Sequence, residues 1–168
     1  MADVGGLPVR RALPWHGRRT VGAWCFVDHA GPAGRTGAEL MQVGPHPHIG
    51  LQTVTWLLEG AVLHTDSVGS EQLIRPGQLN LMTAGRGVSH AESAQPSSGI
   101  HAAQLWVALP EATRWGPPAF EHHVLHRAEH HDHRRHRQAE LAVREPVDQD
   151  LFVAFDTSAK KFGFLKAV

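Results

Sequence analysis

Short apolar runs broken by glycine or proline, at intervals of roughly 8 to 12 residues, constrain this chain more than any other feature. Leu7-Pro8-Val9-Arg10-Arg11, residues 20–27, Leu51-Gln52-Thr53-Val54-Thr55-Trp56-Leu57-Leu58, residues 61–65, Gln72-Leu73-Ile74, Leu79-Asn80-Leu81-Met82-Thr83 and residues 102–109 each read as a strand. β-Branched and aromatic residues at this density pack better on a pleated sheet than on a helix. The punctuation agrees: Glu59-Gly60 stops one run, Arg75-Pro76-Gly77 carries a type II turn signature, Gly85-Arg86-Gly87 turns the chain again and Pro110 ends the last run. No helix of ordinary length is predicted before residue 120, so the expected fold is an all-β sandwich or barrel.

The 168 residues suffice for one well-cored domain with a short C-terminal appendage. Formal charge is zero with histidine neutral, which gives no basic footprint and argues against nucleic acid as a partner. No window approaches a membrane span and residues 1–11 lack a secretory apolar core, so the default expectation is cytoplasmic. Cys25 is the one cysteine, set in the apolar run Val21-Gly22-Ala23-Trp24-Cys25-Phe26-Val27. An inert buried thiol is expected there, and a disulfide framework is excluded.

Histidine is the outlier, with 14 copies, seven of them between His122 and His136. Two pairs elsewhere have a different character. His46-Pro47-His48 and, after the glycine turn, His90-Ala91-Glu92 each set two metal-capable side chains two residues apart, a spacing that points both to one face of a strand. On neighbouring strands the pairs would converge. Three imidazoles and a carboxylate form a borderline-to-hard site suited to Fe(II), Mn(II), Ni(II), Cu(II) or Zn(II), and four protein ligands on a six-coordinate ion leave two positions open for chemistry. His64 and His101 also fall on predicted strands but lack a paired partner, and are expected at the core edge or surface. Gln52 and Gln104, uncharged amides among apolar neighbours, are expected to line the pocket. Trp56 and Trp106 are assigned to the core.

These residues resemble the pirin family of the cupin superfamily. The likeness is carried by residues 46–55 from His46-Pro47-His48-Ile49-Gly50 onward, by Leu58-Glu59-Gly60, Arg75-Pro76-Gly77, Met82-Thr83-Ala84-Gly85-Arg86-Gly87 and His90-Ala91-Glu92, and by Gln104-Leu105-Trp106-Val107, over roughly residues 7–120. It implies a cupin jelly-roll barrel over residues 1–120 with His46, His48, His90 and Glu92 as ligands of an iron site. Residues 121–137 are then a His/Arg-rich linker and 138–168 a tail, with a short helix expected over 135–144 and a strand over 150–156. Relatives of this kind continue into a second cupin-like domain. The tail, where all three lysines fall, matches none and reads as a truncated or frame-shifted end.

By the same resemblance the expected activity is that of a quercetin 2,3-dioxygenase, which opens a flavonol ring with O2. Fe(II) is the expected cofactor. Glu92, the only carboxylate among the predicted ligands, is the expected base for the substrate hydroxyl. The competing reading is a non-enzymatic, iron-binding redox regulator that docks on a protein partner; an exposed barrel face would also favour a homodimer. Many relatives carry Glu where this chain has Gln52, which leaves Glu92 as the anionic ligand.

Overall fold

The computed structural model describes residues 2–33, 41–95 and 99–124, together with the backbone of three strands between 138 and 166. The chain divides into two compact units, Met1–Leu125 and His126–Val168. Among the described residues no helix is long and apolar enough to cross a membrane.

The first unit is built from eleven strands: β1 (Ala2–Val4), β2 (Leu7–Leu13), β3 (Trp24–Ala33), β4 (Gln42–His48), β5 (Leu51–Glu59), β6 (Val62–Asp66), β7 (Glu71–Ile74), β8 (Gln78–Thr83), β9 (Val88–Ala94), β10 (Ile100–Ala108) and β11 (Ala119–Val124). They form a seven-stranded sheet in the order β1-β2-β3-β10-β5-β8-β11 and a four-stranded sheet in the order β4-β9-β6-β7. Every pairing between them is antiparallel. The all-β expectation therefore holds.

Side chains from both sheets meet in one apolar cluster. Leu7, Val9, Ala30, Leu57 and Ala102 come from the larger sheet, and Val62, Ile74 and Ala94 from the smaller. A second, smaller cluster of Met82, Ala84 and Val88 is backed by Phe120. Leu57 and Ile74 expose nothing, and truncating such a leucine to alanine costs about 2–5 kcal/mol through lost burial and the cavity left behind.

Two local features aim side chains at the space between the sheets. Strand β9 alternates strictly, with Val88, His90, Glu92 and Ala94 buried and Ser89, Ala91 and Ser93 less so. Strand β4 lies at a sheet edge, where Pro45 and Pro47 remove ladder donors that no neighbour requires. Its register against β9 slips between Val43 and His46, so that three steps on β4 match two on β9. This bulge re-aims the chain just before the first histidine pair. The turn into β9 is fixed by Gly85, at φ +51°, where an added Cβ would lie 2.3 Å from the Gly116 carbonyl oxygen.

Some boundaries differ from the sequence reading. Glu121 to Val124, read as linker, continue β11 beside β8, because Phe120 and His122 keep a strand's alternation despite the histidine-rich composition. In the second unit, β12 (Gln138–Leu141), β13 (Leu151–Asp156) and β14 (Lys161–Lys166) form an antiparallel sheet in that order. A strand thus occupies 138–141, where the sequence predicts a helix, and β14 has no counterpart among the predicted strands. Residues 125–137, most of the histidine-rich run, lie outside the described residues.

Candidate metal centre

The register brings the two predicted pairs together. His46 lies opposite His90 across β4 and β9. On the other side of β9, Asp66 lies opposite His90 and His64 opposite Glu92. All five side chains sit on two-residue alternation.

His46, His48 and His90 each offer a ring nitrogen within 4.8 Å of the others. The Nε2 atoms of His48 and His90 stand 3.1 Å apart. Two nitrogens bound at right angles, each about 2.1 Å from an ion, would stand about 3.0 Å apart, so this spacing fits adjacent ligands of one metal. His46 donates its Nδ1–H to the Gly44 carbonyl oxygen at 2.9 Å, which leaves Nε2 as the lone-pair nitrogen. Burial, reinforced by the His46 charge, pushes His48 down to about 4. Burial and the neighbouring imidazoles push His90 down to about 3. Both rings are therefore neutral at ordinary pH, as metal ligation requires.

Glu92 is buried against the other wall. It groups with His64 and His90, again within 4.8 Å, so two sets of potential ligands share His90. Thr55 Oγ1 stands 3.0 Å from Glu92 Oε1 and 2.8 Å from the Gln104 side-chain oxygen. A hydroxyl has one proton, so only one oxygen can accept it. With the proton given to Glu92, the Gln104 amide turns to donate its N–H to Thr55. Burial raises the Glu92 pKa, opposed by the Thr55 hydrogen bond and by His64 and His46.

The remaining wall is aromatic. Trp106 meets the His48 ring edge-on at 5.0 Å and stacks on Phe26 at 4.1 Å. Arg11 covers Phe26 at 4.5 Å while its guanidinium donates two hydrogen bonds to Asp28, at 2.9 and 2.7 Å. Trp106 Nε1 and Asn80 Nδ2 are buried donors with no partner among the described residues. Such donors suit an oxygen-bearing guest, since leaving them unpaired is costly. An open depression of about 440 Å³, bordered by Pro47, His48, Ser67, Gly87 and Ser89, adjoins His48.

Several sequence expectations change here. Gln52 does not join the pocket: strand alternation sets it on the face of β5 opposite Thr53 and Thr55, and its amide donates to Thr83 Oγ1 at 2.9 Å. Gln104 shares the Thr55 side of the sheet. Trp106, assigned to core, stands at the site. His64 and His101, expected at the core edge or surface, are both 2% exposed. His101 Nε2 lies 2.7 Å from His29 Nε2. His64 lies between Asp66, 3.0 Å from its Nε2, and His90, whose Nδ1 is 3.4 Å from its Nδ1. The signal that could have found it is His64-Thr65-Asp66, which repeats the two-residue spacing of the recognised pairs. Burial pushes the Asp66 carboxyl up, but hydrogen bonds from His64, Ser70 and Val68 outweigh it and hold the pKa below the ordinary value. Burial raises the pKa of Cys25, in keeping with an unreactive thiol.

A family model described as Pirin matches residues 6–107. A Pseudomonas aeruginosa protein named "Putative quercetin 2,3-dioxygenase PA1205" is 57% identical over 120 residues, covering 71% of this chain and 38% of that protein. A pirin-like protein of Caulobacter vibrioides is 43% identical over 127 residues, covering 72% and 44% respectively. The chain thus spans less than half the length of these two curated relatives. A crystal structure of quercetin 2,3-dioxygenase from Acinetobacter baumannii superposes with a TM-score of 0.76 at 43% identity, over 91% of this chain and 54% of that one. A bacterial pirin from Escherichia coli, solved in complex with nickel(II), shares the fold at a TM-score of 0.65 and 22% identity, over 91% and 65% of the two chains.

Proposed function

The chain belongs to the pirin family of cupins, and from that premise we propose that it is a metal-dependent dioxygenase that opens the central ring of a flavonol, with His46, His48, His90 and Glu92 holding Fe(II). The observation that carries this reading is the convergence of three imidazoles on one point, 3.1 Å apart at the closest pair, beside a buried carboxylate. Other divalent ions, Mn(II), Ni(II), Cu(II) or Zn(II), suit the same donors. The names of the Pseudomonas and Acinetobacter relatives support the substrate class.

When bound, the ion would acidify the 3-hydroxyl of the flavonol and orient the ring toward O2. The protein's own groups supply the rest. Glu92, whose pKa is raised by burial, is poised to take the hydroxyl proton, and Thr55 holds its carboxylate in place. Trp106, held in place by its stack on Phe26, is the aromatic side chain at the site, and its unpartnered Nε1–H can donate to a substrate oxygen. The products are carbon monoxide and a depside, which together account for the atoms of the flavonol and of one O2.

The test is aerobic loss of flavonol absorbance by protein reconstituted anaerobically with Fe(II), beside His46→Ala treated identically. Turnover confined to the parent supports the assignment. Bound iron without turnover in either would overturn it and leave the iron-binding regulator as the reading to pursue, through a partner captured in one oxidation state only.

A further inference from the structure

His90 is the member of the triad shared by both potential ligand sets, and its far nitrogen faces a partner that the metal reading leaves unused. His90 Nδ1 lies 3.4 Å from His64 Nδ1, the rings tilted by 40° with centroids 5.1 Å apart. His64 Nε2 in turn lies 3.0 Å from Asp66 Oδ2, with side-chain exposures of 3% and 0%. Asp66 Oδ1 accepts the backbone N–H groups of Val68 and Ser70, both at 2.9 Å. The His64 ring also stacks on Phe120, centroids 4.6 Å apart, which limits its rotation.

We propose that Asp66 and His64 form a positioning relay that keeps the proton of His90 on Nδ1 and so presents the Nε2 lone pair of His90 to the metal. The donor and acceptor logic follows from the geometry. A carboxylate accepting two backbone N–H groups has only acceptor capacity left for His64, so His64 carries its proton on Nε2. The lone pair of His64 is then on Nδ1, facing His90. To complete that contact His90 donates Nδ1–H, and its free nitrogen is Nε2, which lies 3.1 Å from His48 Nε2. A carboxylate orienting a ligand histidine is a common outer support of metal sites; here a second histidine is interposed. The same role on the other ligand strand is filled by the Gly44 carbonyl behind His46.

This inference rests on the metal-site reading, and its test keeps the two separable. Zinc(II) alone serves as the probe, being diamagnetic, on the full chain. In Asp66→Asn the amide oxygen must stay with the two backbone donors, so the amide N–H2 faces His64 Nε2. That reverses the His64 tautomer and sets an N–H against the Nδ1–H of His90. The relay predicts zinc affinity weakened about 10–100-fold, with metal-free thermal stability little changed, because without the ion His90 is free to take its other tautomer. Histidine ¹⁵N spectra of the zinc-loaded parent should show His64 protonated at Nε2 and His90 at Nδ1.

The zinc lost in His46→Ala defines the site, since the histidines from His122 to His136 are common to every variant. If Asp66→Asn fails to fold, His64→Gln and His64→Leu take its place. The amide oxygen of the first can still accept from His90 and should retain more affinity than the second. Unchanged affinity in Asp66→Asn, equal affinities in the His64 pair, or a second zinc ion bound by His64 and Glu92 would overturn the relay alone. Undiminished zinc binding in His46→Ala, or none in the parent, would overturn the metal site and the relay with it.

Discussion

His48 and His90 hold their Nε2 atoms 3.1 Å apart across the space between β4 and β9, and both rings are pushed toward the neutral form by burial. A proton on one Nε2 makes the pair a hydrogen bond, whereas two exposed lone pairs at that distance in a dry site call for a cation beside them. A metal ion answers that, and removal of either ring should be felt in binding. His48→Ala is expected to lose more zinc or iron affinity than the roughly 10–100-fold typical of an outer-sphere support, measured by competition with a chromophoric chelator. Binding within threefold of the parent would show that His48 is not a ligand.

In the metal-free protein the same burial predicts acid sensitivity of a definite sign. His48 and His90 fall from the ordinary 6.5 to about 4 and about 3. Between pH 6.5 and those values the unfolded chain holds the extra protons, so stability is fully present above about 6.5 and is lost as pH falls. The slope is at most about 1.4 kcal/mol per pH unit for each ring. Denaturant midpoints at pH 7.5, 5.5 and 4.5 in chelator should fall accordingly, and His90→Gln should flatten the decline. The same decline in that variant would assign it to other groups.

Much of this arrangement is legible in the sequence because its rule is simple. Strand alternation has a period of two, so the spacing within His46/His48 and within His90/Glu92 is enough to place each pair on one face, and Gly85-Arg86-Gly87 marks the turn ahead of β9. Gln52 misleads because polarity among apolar neighbours says nothing about which side of β5 a residue occupies; one step of register decides that. His64 has no sequence neighbour of its own kind, and its partner, Asp66, stands two residues on as a carboxylate that turn-rich composition also explains. What alternation cannot reveal is cross-strand register, which sets Asp66 beside His90, or the packing of one sheet on the other, which brings Thr55 of β5 within reach of Glu92 of β9. Histidine-rich composition likewise hides the strand at Glu121 to Val124.

Gly85 is a backbone requirement, not a packing preference. Its φ of +51° already disfavours a side chain, and an added Cβ would sit 2.3 Å from the Gly116 carbonyl oxygen, a backbone atom with little room to retreat. Gly85→Ala should therefore cost more than the ~1 kcal/mol of a simple left-handed penalty, read as a lowered urea midpoint. Because this turn leads directly into β9, metal affinity should weaken as well. A variant with the parent's midpoint would mean the turn relaxes freely.

Thr55→Val probes whether Glu92 faces the ion. The substitution keeps the shape of the side chain but removes the hydroxyl that lies within hydrogen-bond reach of both Glu92 and Gln104. In the metal-free protein a buried carboxyl and a buried amide then each lose a partner, at a cost of about 1–3 kcal/mol. The direction of the Glu92 pKa follows: its stabilising hydrogen bond gone, burial raises it further. Once an ion is bound, a ligating Glu92 has a stronger partner than Thr55 could provide, and most of that loss should be recovered. The comparison is urea unfolding of parent and variant, each with and without saturating zinc. A deficit that shrinks on zinc binding places Glu92 among the ligands; a deficit of the same size in both states would remove Glu92 from the ligand set and leave the three histidines to hold the ion with solvent or substrate.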